Sequence, residues 1–156
     1  MIEAGEKAPE FTLPDQDGNE LSLRDFAGRT LVLYFYPRAD TPGCATQARG
    51  IRDRAADYEA AGAVVVGVSP DPVERVKRFH GRQSLNFTLL ADEDHAVCDA
   101  YGVWGEKSMY GKTYMGAKRA TFIIDGEGVI RHVIPKASPK THDDEVLAAL
   151  SGLSAA

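Results

Sequence analysis

A chain of 156 residues, 44% hydrophobic and 26% charged, is sized and balanced for one soluble folded domain, 1–156, with a core of its own. Its net charge of −5, with no run of Lys or Arg, counts against a nucleic-acid or anionic-membrane partner. No apolar stretch approaches the roughly 20 residues of a membrane span, and Met1 to Lys7 hold no apolar signal-like region, so a cytoplasmic location is expected.

Residues 8–28 read as a hairpin-like entry. Phe11 and Leu13 alternate on one side, residues 15–19 form a turn cluster, and Leu21 and Leu23 alternate beyond it. After a short turn through Asp25 to Gly28, Thr30 to Tyr36 is an almost continuous apolar run that suits a strand buried on both faces. The run stops at Pro37. A polar loop follows, and Thr41-Pro42-Gly43 delivers Cys44 to a helical pattern of Ala48, Ile51, Ala55 and Tyr58, closed by Gly62. Ala63 to Ser69 is a second buried strand. Asp71-Pro72-Val73-Glu74 reads as a helix start with Asp71 as N-cap, Pro72 at N1 and Glu74 at N3. Val76 and Phe79 supply that helix's inner face, and Gly81 its expected end.

A short strand at 87–90 precedes an acidic helix start, Asp92-Glu93-Asp94, with Val97 and Tyr101 one turn apart. Residues 102–118 lack periodicity and are expected to be loop. Ala120 to Asp125 and Val129 to Ile134 flank Gly126-Glu127-Gly128 as the clearest hairpin in the chain. A last helix is expected from about Thr141 to Leu150, with a frayed tail at 151–156. Strands alternating with helices imply an α/β fold with a mixed central sheet flanked by helices, preceded by an N-terminal β-hairpin extension. The closing hairpin and helix resemble those of a thioredoxin-like fold.

Two cysteines far apart, with no C-x-x-C pair, exclude a disulfide scaffold and a zinc finger. His80, His95, His132 and His142 show no metal-ligand spacing, so neither a metal nor another cofactor is expected. Cys44 is the informative one. At a helix start it faces unpaired backbone N–H groups and the positive end of the helix dipole, both of which favour the reactive thiolate. A thiol with the ordinary pKa near 8.5 is only a few per cent ionised at neutral pH, so such a setting matters. Thr41 is close enough for its hydroxyl to face the same pocket, unless it serves simply as a helix N-cap. Pro37 can wall the pocket without offering an N–H, and Gly43 permits close backbone approach. The loop lacks a fixed positive charge at the sulfur. Arg119, just before the strand at 120, can supply one from across the sheet.

Pro37-x-x-x-Thr41-x-x-Cys44 resembles the peroxidatic-cysteine motif of peroxiredoxins. Phe35-Tyr36-Pro37, Arg52-Asp53, Tyr101 to Lys107, Met109 to Thr113 and Arg119-x-Thr121-Phe122-x-Ile124-Asp125 resemble, more narrowly, the bacterioferritin-comigratory (Q-type) subgroup. The resemblance covers essentially the whole chain. It implies a monomeric thiol peroxidase that reduces hydrogen peroxide and organic hydroperoxides. Cys44 attacks the peroxide and becomes a sulfenic acid, Thr41 hydrogen-bonds the peroxide, Pro37 shields the sulfenate, and Arg119 polarises the site. One position departs from the subgroup: Arg49 stands where many members carry a resolving cysteine. That leaves an external thiol reductant (a thioredoxin, a glutaredoxin or a small thiol) or, less favoured, Cys98 as the resolving residue. Cys98 is better explained as a small buried side chain. Arg49 itself reads as a solvated helix residue or as extra positive potential near the thiolate. Two other functions fit the same cysteine. A thiol–disulfide oxidoreductase would need Cys at position 47, where the chain has Gln. A peroxide sensor would pass its oxidation to a partner.

Overall fold

The computed structural model describes residues 1–154. Strand β1 (Thr12–Pro14) pairs antiparallel with β2 (Glu20–Ser22), as the entry hairpin predicts, and a short 3-10 turn, Leu23–Phe26, leads out of it. The central strand β3 (Thr30–Phe35) is followed by helices α1 (Pro42–Asp53) and α2 (Ala55–Ala60). Then come β4 (Ala63–Ser69), α3 (Val73–Arg82), β5 (Thr88–Ala91) and α4 (Ala96–Ala100). The chain continues through β6 (Trp104–Met109), β7 (Lys112–Ala117), β8 (Ala120–Ile124), β9 (Ile130–Ile134) and α5 (His142–Ser154).

Five strands form the main sheet in the order β5-β4-β3-β8-β9. The β3–β4 and β4–β5 pairs are parallel; β3–β8 and β8–β9 are antiparallel. The sheet is therefore mixed, flanked by helices, and thioredoxin-like. Side chains alternate across β3 and separate two hydrophobic cores. Leu31, Leu33 and Phe35 pack with Val97, Cys98, Tyr101 and Phe122 on one face. Val32, Tyr34 and Tyr36 pack on the other with Cys44, Ala48 and Ile51 of α1, Val76 and Phe79 of α3, and Val146 and Leu150 of α5.

Several boundaries differ from the sequence reading, each for a physical reason. The single helix expected from Cys44 to Gly62 is broken at Arg54, whose backbone leaves helical geometry at φ −110, ψ 19. Its guanidinium reaches Asp57, Asp143 and Asp144, which tethers α1 and α2 to α5. Asp71 is not the N-cap of α3; Pro72 occupies that position and the Asp71 carboxylate turns to the loop after β3. The acidic run at 92–94 precedes α4 instead of opening it. Buried Asp92 accepts the amides of Val97 at 3.2 Å and Cys98 at 2.8 Å, capping the helix from a loop.

Residues 102–118 are not loop. β6 and β7 form a regular antiparallel hairpin whose two turn residues, Tyr110 and Gly111, both have positive φ, 51 and 76. Both its faces are largely solvated, so it carries no hydrophobic alternation. The last helix runs on through Ser154, so 151–154 continue α5; 155–156 of the expected tail lie outside the described residues.

Candidate active site

The loop from Pro37 to Thr41 is held sideways by α3. Asp71 Oδ2 accepts the Ala39 amide at 2.7 Å, and Arg75 Nε donates to the Ala39 carbonyl at 3.3 Å. Arg82 Nη1 donates to Asp40 Oδ2 at 2.7 Å, fixing a residue whose φ of 67 places it in the left-handed region. Pro37, two residues past the end of β3, is half-buried. A short segment that would otherwise be free is thus anchored by three bonds at two successive residues, Ala39 and Asp40.

Thr41 occupies the N-cap position of α1, with its carbonyl accepting the first i→i−4 bond from Ala45 at 2.9 Å. Its side chain makes no cap bond; the hydroxyl instead donates to the Arg38 carbonyl at 2.8 Å. With that proton committed, Thr41 Oγ1 faces any further partner as an acceptor. Pro42 has no N–H, and the amides of Gly43 and Cys44 precede the first helical hydrogen bond, so they add partial positive charge near the sulfur.

Cys44 lies in the first turn of α1 and is buried. Arg119 Nη1 donates to its Sγ at 3.3 Å. A guanidinium has donors only, so the sulfur accepts, which is the part a thiolate plays. The approach depends on Gly43: a Cβ there would lie 2.7 Å from Arg119 Nη2.

Behind this pair stands a network that sequence reasoning missed. Arg119 Nη1 also donates to Gln47 Oε1 at 2.9 Å. Gln47 Nε2 lies 3.1 Å from His142 Nδ1, and His142 Nε2 lies 2.6 Å from Thr121 Oγ1. Gln47, His142 and Thr121 are all buried. Burial, helped by the Arg119 charge, pushes His142 down to about 4, so the ring is neutral at physiological pH. Gln47 had a detectable signal, since it sits one turn after Cys44 on the same helix face. His142 had none. A second cation, Lys107, comes from the hairpin read as loop. Its Nζ donates to the Ala117 carbonyl at 3.0 Å; burial and Arg119 push its pKa down while Cys44 pulls it up.

The other two sequence candidates lie apart from this cluster. Arg49 is exposed and its Nη1 donates to Gln83 Oε1 at 2.9 Å. Cys98 is fully buried in the opposite core, with the main sheet between it and Cys44. Burial first, and then Asp92, hold its thiol far above the usual range, in the unreactive protonated form. Among the described residues no cluster of three or more His, Cys, Asp or Glu side chains is placed to hold a metal ion.

One thiol in a helix's first turn, bonded by a guanidinium and mounted on a thioredoxin-like sheet, fits an enzyme that works through a single reactive cysteine. Residues 4–133 match the family model described as AhpC/TSA family. The chain is 51% identical over 146 residues to peroxiredoxin Bcp of Escherichia coli K12, covering 94% of each protein. Among solved structures, the bacterioferritin comigratory protein of Xanthomonas campestris, studied for alkyl peroxide reduction, matches with a TM-score of 0.86 at 38% identity, over 92% of both chains. Peroxidoxin BcpB of Mycobacterium tuberculosis matches with a TM-score of 0.87 at 34% identity, over 98% of this chain and 99% of that one. The chain belongs to the AhpC/TSA family, in its Q-type peroxiredoxin branch, and is a thiol peroxidase.

Proposed function

We propose that Cys44 is the peroxidatic residue and that it works in a one-cysteine cycle completed by an external thiol. The observation that carries this is the Arg119 Nη1 to Cys44 Sγ contact of 3.3 Å at the opening turn of α1. The thiolate attacks the terminal oxygen of a hydroperoxide, the O–O bond breaks, and Cys44 becomes a sulfenic acid. The departing alkoxide or hydroxide takes a proton to leave as alcohol or water. Arg119 and the amides of Gly43 and Cys44 stabilise charge as it moves from sulfur to the leaving oxygen. Thr41, its own proton given to Arg38, accepts the hydroperoxide O–H and aligns it. Pro37 closes the pocket beside a helix start without adding a donor. Alkyl peroxide reduction by the Xanthomonas campestris relative supports extending the substrate range from hydrogen peroxide to organic hydroperoxides.

A thiol reductant then attacks the sulfenic sulfur, releasing water and leaving a mixed disulfide. A second thiol restores Cys44 and departs as the reductant's disulfide. Position 49 is Arg, and Cys98 lies across the sheet, so neither supplies the resolving sulfur in this reading. Because Cys44 is buried, a protein reductant such as a thioredoxin or glutaredoxin reaches it only after the first turn of α1 opens. Sulfur and guanidinium come from one chain, so their pairing needs no second subunit.

Intact-mass analysis after one equivalent of peroxide tests the cycle on wild type, Cys44→Ser and Cys98→Ser. The expected result is a gain of about 16 Da in wild type and Cys98→Ser and none in Cys44→Ser. A loss of about 2 Da in wild type, abolished in Cys98→Ser, would instead establish an internal disulfide and overturn the one-cysteine reading.

A further inference from the structure

The hydrogen bonds behind Arg119 have only one consistent polarity. The guanidinium can only donate, so the Gln47 atom facing it is oxygen. The Gln47 amide nitrogen then faces His142 Nδ1, which must accept. The ring proton therefore sits on Nε2 and is donated to Thr121 Oγ1. The opposite tautomer would set a ring N–H against an NH₂ group.

The hydrogen bonds form a chain whose two ends are joined by the backbone from 119 to 121. Arg119 and Thr121 are two residues apart and point to the same face of the sheet. From Arg119 the chain of bonds passes to Gln47 on α1, to His142 on α5, and back to Thr121 on β8. The His142 ring packs on Tyr34, with centroids 5.4 Å apart. A buried neutral imidazole is unnecessary for packing alone, and Leu would fill such a space without needing partners.

We propose that His142 is a positioning residue for Arg119: fixed by Thr121, its Nδ1 holds the Gln47 carboxamide with oxygen toward the guanidinium and so keeps Nη1 on the Cys44 sulfur. The inference rests on the reading of Cys44 as the peroxide nucleophile. It makes a conservative change at Thr121, which touches neither sulfur nor peroxide, control the reactivity of Cys44. Thr121→Val keeps the volume but removes the acceptor of the Nε2–H. Arg119 still requires the Gln47 oxygen, so the tautomer is kept, but the ring loses its anchor on β8, and Gln47 and the guanidinium lose their fixed seats in turn.

The test is a cycle of Thr121→Val and Gln47→Glu. Three quantities are read: the His142 tautomer from ring ¹⁵N shifts, the iodoacetamide alkylation rate of Cys44 at pH 7, and the second-order rate with hydrogen peroxide. Thr121→Val alone is expected to leave the proton on Nε2 without its acceptor, slow alkylation about fivefold and slow the peroxide reaction about tenfold. In the Gln47→Glu background a carboxylate accepts from both Arg119 and an Nδ1–H. There the Thr121→Val penalty is expected to shrink to less than about twofold. A histidine that merely packs would show the same penalty in both backgrounds, or none in either, and either result overturns the proposal. If wild-type Cys44 alkylates normally but ignores peroxide, the functional reading fails, while tautomer and alkylation still decide the role of His142.

Discussion

At position 43 a single methyl group separates helix stability from catalysis. Ala in a helix is favoured over Gly by up to about 1 kcal/mol. Yet its Cβ would meet Arg119 Nη2 at 2.7 Å and push the guanidinium off the sulfur. Gly43→Ala is therefore expected to hold or raise the thermal midpoint while lowering kcat/KM for peroxide about 10- to 100-fold, measured on the same preparation. His142 gives a prediction in pH. The unfolded ring binds its proton near 6.5 and the folded ring at about 4, so between these values the unfolded chain holds more protons. The stability from keeping His142 neutral is complete above 6.5 and is lost as pH falls toward 4. Urea midpoints should drop over that window in wild type, and His142→Leu should lack that part of the slope. The meeting of Arg119 with Cys44 was legible in the sequence, because a thiol at that helix start lacked a fixed positive charge that this arginine could supply from across the sheet. Gln47 offered only its place one turn after Cys44 and His142 offered nothing, because polar residues on helical segments read as surface until the tertiary structure buries them.

At the level of elements, the buried strands and the β8–β9 hairpin were legible because their apolar runs are bounded by clear turn residues. The β6–β7 hairpin was not. Its strands are wet on both faces, and its turn uses Tyr-Gly where Asn-Gly is the recognisable signal for two positive φ angles. Tyr110 is 98% exposed, so its ring gains little from packing to offset the left-handed backbone. Tyr110→Asn should stabilise the protein by a few tenths to about 1 kcal/mol in denaturant unfolding and leave the Cys44 alkylation rate unchanged. Helix starts were misplaced where a carboxylate works at a distance. Asp71 looked like an N-cap and Asp92 like the first residue of a helix, but Asp71 secures the loop after β3 and Asp92 receives amides five and six residues ahead from outside the helix. A local pattern cannot separate these uses, because the deciding partner lies elsewhere in the fold.

For the molecule as a whole, the main sheet is a partition. One core carries Cys44 and its network, and the other carries Cys98 with Val97, Tyr101 and Phe122. Cys98→Ala should keep peroxidase turnover within about twofold of wild type while lowering stability by about 1 kcal/mol, the expected range for a small cavity in a packed core. Matching losses of turnover and stability would show that the two faces are coupled. The alternation along β3 that builds this partition was not legible, because a strand buried on both faces reads as a continuous apolar run with nothing to say which side is which. The chain thus revealed the sheet but not which cysteine faced which layer.

The bond between Gln47 and His142 joins residues 95 positions apart in the chain. It orders the events of biosynthesis as well as the atoms of a site. A ribosome makes Cys44 early, Arg119 much later and α5 later still, so the nascent thiol spends most of translation without its guanidinium and gains the support of that guanidinium last. The Cys44 sulfur of the growing polypeptide therefore lacks its guanidinium partner until β8 and then α5 have joined the fold.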